Sequence, residues 1–293
     1  MAVDGAPAMS VPTGVTMADA MSSRIVELFF GKEKRRRVTV ANAKVPDGVR
    51  VYAVGDIHGR VDLLDRLHTM IREDAADVRP GFEKVVVYLG DYLDRGLYSR
   101  ELLDLFLDDP LEGFESVHLR GNHDQCFLDF LVDPEKEASW LRFGGDATVY
   151  SYGVRIPDDV PPEGRMVYIR DRLLETVPQR HLGFLVNLEL TRVIGDFLFV
   201  HAGINPERPL SEQTPADHMW IRGPFLESDR DFGKVVVHGH SVTSVPEVRH
   251  NRIGIDTGAC YNDNLTCVVL EGANKRFLST SETASSSVRV ASL

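Results

Sequence analysis

The sequence predicts an α/β protein built as a mixed β-sandwich flanked by helices, and three observations carry that prediction. Short β-branched apolar runs alternate with helical periodicity between residues 49 and 119. Residues 124–189 read as mostly helical, and short strands with tight connections return late, beginning with Leu188–Ile194. The β-α-β-α-β order of the first part implies parallel strands joined by right-handed crossovers.

Val49–Val54 is a short, β-branched, largely apolar run and predicts a buried strand. Val61–Ala75 places Leu64, Leu67, His68 and Ile71 on one helical face. Lys84–Leu89 is a second buried strand, Ser99–Leu107 a helix stopped by Asp109-Pro110, and Glu115–Leu119 a third strand. Helices are expected over Phe127–Val132, Glu135–Phe143, Met166–Thr176 and Pro178–Asn187. The late strands are Leu188–Ile194, Phe197–Val200, Val235–Val237, Arg252–Ile255 and Leu265–Leu270, and the tight Gly195-Asp196 connection favours antiparallel pairing. Residues 24–278 are expected to form one domain, with an insert at about 133–187. Residues 1–23 and the Ser-rich tail from Ser279 read as disordered. Ile25–Phe30 suggests one or two helical turns, and the basic run Lys32–Arg37 a solvated linker in preference to a localisation signal.

Hydrophobic content of 43% and charged content of 26% are those of an ordinary soluble chain. A net charge of -11 argues against a nucleic-acid surface, and no apolar run is long enough to cross a bilayer. The N-terminus lacks the basic start and apolar stretch of a secretion signal. Three cysteines, Cys126, Cys260 and Cys267, build no disulfide framework. The expected compartment is the cytoplasm. None of the three has an Arg six positions on, so a thiolate phosphatase is excluded.

The chemistry sits at strand ends. The first three strands run into Gly55-Asp56-Ile57-His58-Gly59, Gly90-Asp91-Tyr92-Leu93-Asp94-Arg95-Gly96 and Arg120-Gly121-Asn122-His123-Asp124. Ligands in α/β sheets gather at carboxyl ends of strands, so these segments converge. Asp56 and His58 lie two apart in an extended segment and point the same way, as a carboxylate–imidazole pair suited to a transition metal. Two later strands end in His201-Ala202-Gly203 and His238-Gly239-His240. His68, His118, His181, His218 and His250 lack such placement and are assigned to packing or surface.

GDIHG, GDYLDRG, GNHD, HAG and HGH, in that order, resemble the phosphoprotein phosphatase (PPP-type) branch of the calcineurin-like metallophosphoesterases, over roughly Val49 to Leu270. The bacterial and phage branch is the nearer one, because Trp220-Ile221-Arg222 and Ile255–Ala259 resemble stretches of phage λ phosphatase. The resemblance implies a metallophosphoesterase fold with two divalent ions. It matches Asp56 and His58 to one metal, Asp91 to the bridging carboxylate, and Asn122, His201 and His240 to the second metal. It matches His123 to the catalytic histidine, Asp94 to the carboxylate orienting it, and Arg95 and Arg222 to phosphate binding. For Arg222 a surface salt bridge is the alternative. Asp124 departs from the Glu of the eukaryotic enzymes. Val242 stands where many wider-superfamily members carry another His, a change shared with PPP members.

Two divalent ions against two carboxylates and neutral ligands leave a positive site in an acidic protein, which attracts phosphate and lowers the pKa of water. A planar guanidinium suits the phosphoryl oxygens. A serine or threonine alkoxide leaves poorly without a proton, which makes His123 the natural general acid. Donors of Asp, His and Asn suit Mn²⁺, Fe or Zn²⁺, and the resemblance implies Mn²⁺. The expected substrate is a phosphoserine or phosphothreonine protein. The alternatives are a dinucleoside tetraphosphate, a small phosphomonoester, and, weakest, a non-catalytic scaffold. The presence of Asp94 and the short Ile204–Val237 stretch argue against the tetraphosphate. Trp140, Phe143, Gly144-Gly145 and Tyr150–Gly153 lie in the insert, where aromatics are expected in the core or along the substrate groove.

Overall fold

Three β-branched apolar runs form the centre of the first sheet in the computed structural model, which describes residues 36–281. The expected N-terminal lead, the Ile25–Phe30 turns and most of the basic run lie outside the described residues. Strands β1 (Val49–Val54), β2 (Glu83–Tyr88) and β3 (Glu115–His118) pair in parallel, with Val51 opposite Val85 and Val87 opposite Val117. Helices α1 (Val61–Ala75) and α2 (Ser99–Asp108) form the crossovers. Successive side chains alternate faces, so Tyr52 and Val54 meet Leu64, Leu67 and Phe106, while Val51 and Ala53 face the second sheet. Both faces are covered, which explains why the strands read as continuous apolar text.

Past β3 the chain turns at once into α3 (Asn122–Val132). The insert then holds a 3-10 segment, Ala138–Phe143, followed by α4 (Gly145–Ser151), α5 (Arg165–Thr176) and α6 (Gln179–Val186). The second sheet contains β4 (Thr191–Ile194), β5 (Phe197–Val200), β6 (Val235–His238), β7 (Glu247–Val248) and β8 (Arg252–Gly254) in the order β4-β5-β6-β8-β7. Helices α7 (Pro215–Trp220) and α8 (Gly223–Leu226) connect β5 to β6. After α9 (Ala259–Asn262), β9 (Thr266–Glu271) returns to the first sheet antiparallel to β1, and β10 (Asn274–Ser279) folds back on β9. Phe197, Phe199, Val235, Val237 and Ile253 pack from the second sheet onto Val51, Ala53, Val85 and Val87 of the first.

Several expectations change. Antiparallel pairing holds for β4–β5 and β7–β8, but the central β6 is parallel to both β5 and β8. The connection carrying α7 and α8 lets the chain cross over between β5 and β6 instead of turning back. The segment Leu188–Ile194 pairs as a strand only from Thr191, and the helix expected over Glu135–Phe143 is a 3-10 segment. β10 continues through Ser279, and the buried Thr280 accepts a hydrogen bond from the Leu265 N–H at 2.9 Å. The described residues from Val38 to Ser281 belong to one compact unit. No described helix is long and apolar enough to cross a membrane.

Candidate metal centre

The loops leaving β1, β2, β3, β5 and β6 bring the motif side chains together. Asp91, after β2, is common to two buried clusters, one with His58 and His123 and the other with His201 and His240. In each cluster the possible ligand atoms lie within 4.8 Å of one another. Asp56 joins through its carboxylate, which accepts the His240 N–H at 3.0 and 3.2 Å. Asn122 joins through Oδ1, 3.0 Å from His201 Nε2.

Backbone carbonyls orient the imidazoles. His58 Nδ1 lies 2.8 Å from Leu93 O, and His201 Nδ1 lies 2.9 Å from Leu89 O. Protons on those nitrogens leave both Nε2 lone pairs turned into the site. The His201 lone pair then faces the Asn122 Oδ1 lone pairs, an acceptor–acceptor contact that a cation between them resolves. His240 Nε2 is buried without a partner. Asp56, Asp91 and Asp256 are three buried carboxylates in mutual repulsion, and burial followed by Asp256 and Asp91 holds the Asp56 carboxyl well above its usual range. Burial also pushes Asp256 up to about 6. Burial depresses His58 to about 3, so it is a neutral donor near pH 7. The donor set therefore fits divalent cations held by Asp56, His58, Asp91, Asn122, His201 and His240.

The backbone is bent to this purpose. Six described non-glycine residues have φ in the left-handed region, and five are motif residues: His58, Asp91, Asp94, Arg95 and His240, at 49° to 74°. Such residues are uncommon and cluster where surrounding structure overrides local preference. Two glycines keep the carboxylates in place, since a Cβ on Gly121 would collide with Asp91 Oδ1 and one on Gly239 with Asp56 Oδ1.

The profile of the calcineurin-like phosphoesterase family matches residues 49–268. The chain belongs to that family. Among relatives of this phosphoesterase, the Arabidopsis thaliana protein named Shewanella-like protein phosphatase 2 is 26% identical over 61% of this chain and 53% of its own length. The chain thus spans about half of that relative. An asymmetrical bis(5'-nucleosyl)-tetraphosphatase of Bacillus thuringiensis is 21% identical over 73% of this chain and 88% of its own. The solved cold-active protein-tyrosine phosphatase of a psychrophilic Shewanella superposes with a TM-score of 0.52 at 20% identity, over 80% of this chain and 83% of that one. That last likeness shows a shared metallophosphoesterase fold.

In this phosphoesterase His123 lies beside the ligand candidates with a separate set of partners. Its Nδ1–H donates to Asp94 Oδ2 at 2.7 Å. Burial opposes a charge on the imidazole, but Asp91 and Asp94 outweigh it and hold His123 above its ordinary pKa. Arg95 bridges His58 and His123, with Nη1 2.8 Å from one Nε2 and Nη2 2.9 Å from the other. Arg222 stands apart: it is exposed and makes no hydrogen bond to the cluster, and its charge adds a little to the burial that lowers the pKa of His201 and His240.

Three groups to which the sequence assigned no role in the site belong here. Asp256 follows β8 as a further carboxylate. Asp124 accepts the N–H groups of Gly121 and Asp91 on Oδ2, at 3.0 and 2.9 Å, and those of Tyr92 and Leu93 on Oδ1, at 3.0 and 3.4 Å. It clamps the second motif loop to the third. Trp140 and Thr148, from the insert, reach Asp94. The only sequence signal was chemical: a buried tryptophan N–H needs an acceptor.

Proposed function

We propose that this phosphoesterase hydrolyses phosphoserine and phosphothreonine in proteins, using two divalent ions with Mn²⁺ as the activating metal. The observation that carries this reading is the Asp94–His123 pair, buried and hydrogen-bonded at 2.7 Å beside the ligand cluster. A nucleotide or phosphate departing from a dinucleoside tetraphosphate is a good leaving group, whereas an alkoxide needs a proton as the bond breaks. A built proton donor therefore favours an alkyl phosphate.

Bound divalent cations would supply charge that neutralises phosphoryl oxygens and acidifies water. The chain supplies the rest. Arg95, already oriented by His58 and His123, offers its fork to phosphoryl oxygens, and Arg222 adds positive charge from the rim. With the Arg95 fork turned to phosphate, His123 as the imidazolium delivers its Nε2 proton to the serine or threonine oxygen, while Asp94 accepts the Nδ1–H and stabilises that charge. All three thiols are free, in keeping with a cytoplasmic setting. A second reading, cleavage of dinucleoside tetraphosphates, draws on the similarity to the Bacillus enzyme.

Turnover of a phosphoserine peptide, p-nitrophenyl phosphate and diadenosine tetraphosphate, each with Mn²⁺ and with chelator, tests the proposal. The peptide should be hydrolysed in preference to the tetraphosphate. His123→Asn should lower peptide kcat by about 10²–10⁴-fold and p-nitrophenyl phosphate turnover far less, with metal content unchanged. Preference for the tetraphosphate would establish the second reading, and loss of metal in the variant would make His123 a ligand.

A further inference from the structure

We propose that Trp140 and Thr148, contributed by the helical insert, are positioning residues that hold Asp94 so that His123 is aligned for proton delivery. This rests on the general-acid reading of His123 above. Asp94 is fully buried, and its oxygens receive three side-chain donors. One is His123. The second is Trp140 Nε1–H, 2.7 Å from the same Oδ2 that His123 uses. The third is Thr148 Oγ1–H, 2.7 Å from Oδ1. Thr148 Oγ1 in turn accepts the Asp94 backbone N–H at 2.9 Å, so one hydroxyl fixes both ends of the residue.

The geometry of the donors is as telling as their number. A carboxylate held by a single imidazole can turn about its Cβ–Cγ bond and carry the imidazole with it. Donors on both oxygens stop that rotation. Trp140 is itself immobile. Its ring packs on Phe127 and Phe130, with centroids 5.6 and 4.8 Å away, and lies so close over Gly145 that a Cβ there would collide with it. The insert thus reaches the proton donor through a packed indole and a hydroxyl whose hydrogen bonds go to Asp94 and Ser99 and not to the ligand candidates. A misplacement of a reacting group by about 1 Å can cost on the order of 10²-fold, so such a brace has kinetic consequences.

The test compares kcat and KM for a phosphoserine peptide and p-nitrophenyl phosphate, with metal content, in Trp140→Phe, Thr148→Val, Thr148→Ser and the control His123→Asn. Trp140→Phe and Thr148→Val should each lower peptide kcat by about tenfold or more, with KM and metal content unchanged and a clearly smaller loss on p-nitrophenyl phosphate. Thr148→Ser, which keeps the hydroxyl, should recover most of the loss. Thr148→Val keeps the test open if Trp140→Phe fails to fold. Equal losses on both esters, or loss of metal, would show that the two residues only pack the site and would overturn the inference while His123→Asn still discriminates between the esters. If His123→Asn shows no such discrimination, the general-acid reading fails and the inference falls with it.

Discussion

At the scale of single residues, the site depends on atoms that are absent as much as on those present. Gly239 has room for hydrogen only, because Asp56 Oδ1 occupies the place of a side chain. Gly239→Ala should push the Asp56 carboxylate out of register and lower bound metal by about one ion per chain, read by elemental analysis on protein whose circular dichroism is unchanged. Retained metal would show that the loop yields without disturbing Asp56. The motif residues were legible because each follows an apolar strand and carries a recognisable donor. Asp256, Trp140 and Thr148 were not, because their importance lies in contacts across the chain. Trp140 meets Asp94 from 46 residues away, and in its own segment it reads as core.

At the scale of elements, the sequence periodicity located β1 and α1 to the residue but misjudged segments whose shape is set by neighbours. The segment Ala138–Phe143 winds as a 3-10 helix, and Gly144, at φ 111°, ends it and turns the chain into α4. The strand β10 was missed because Asn274-Lys275-Arg276 opens it with polar residues, although Lys275 turns inward over the Phe197 ring while Asn274 and Arg276 face out. His118 on β3 shows how one element docks another. Its ring stacks on Tyr88 at 4.9 Å and meets Phe106 and Phe184 edge-on at 4.7 and 4.9 Å, joining α2 and α6 to the sheet. Its Nε2 is buried without a partner, and burial lowers its pKa from 6.5 to about 4. The unfolded chain therefore binds this proton more readily than the folded one. Stability present above pH 6.5 is lost as pH falls toward about 4. His118→Phe should flatten the decline in Tm between about pH 7.5 and pH 5. An unchanged slope would assign the decline to His68 and His238, which burial also lowers to about 4.

For the whole molecule, the β-sandwich was legible from the alternation of strands and helices, while the parallel pairing of β5, β6 and β8 was not. Strand direction is decided by what the connections carry, and α7 and α8 have too few residues to show strong periodicity. The shared core between the sheets should make them unfold together. Phe199→Ala, at a fully buried contact, should cost about 3–5 kcal/mol and move fluorescence and circular-dichroism transitions equally in urea. Separate transitions would show that each sheet holds itself. The candidate ligands are divided between the layers: Asp56, His58, Asp91 and Asn122 follow strands of the first sheet, and His201 and His240 follow strands of the second. An ion gripping both groups would rivet one layer to the other. Folding would then be linked to free metal, each tenfold rise above Kd adding about 1.4 kcal/mol per site, so Tm should climb with Mn²⁺ and drop with chelator. A cell short of that ion would lose copies of the protein to proteolysis, so that scarcity would remove the phosphoesterase itself as well as its metal.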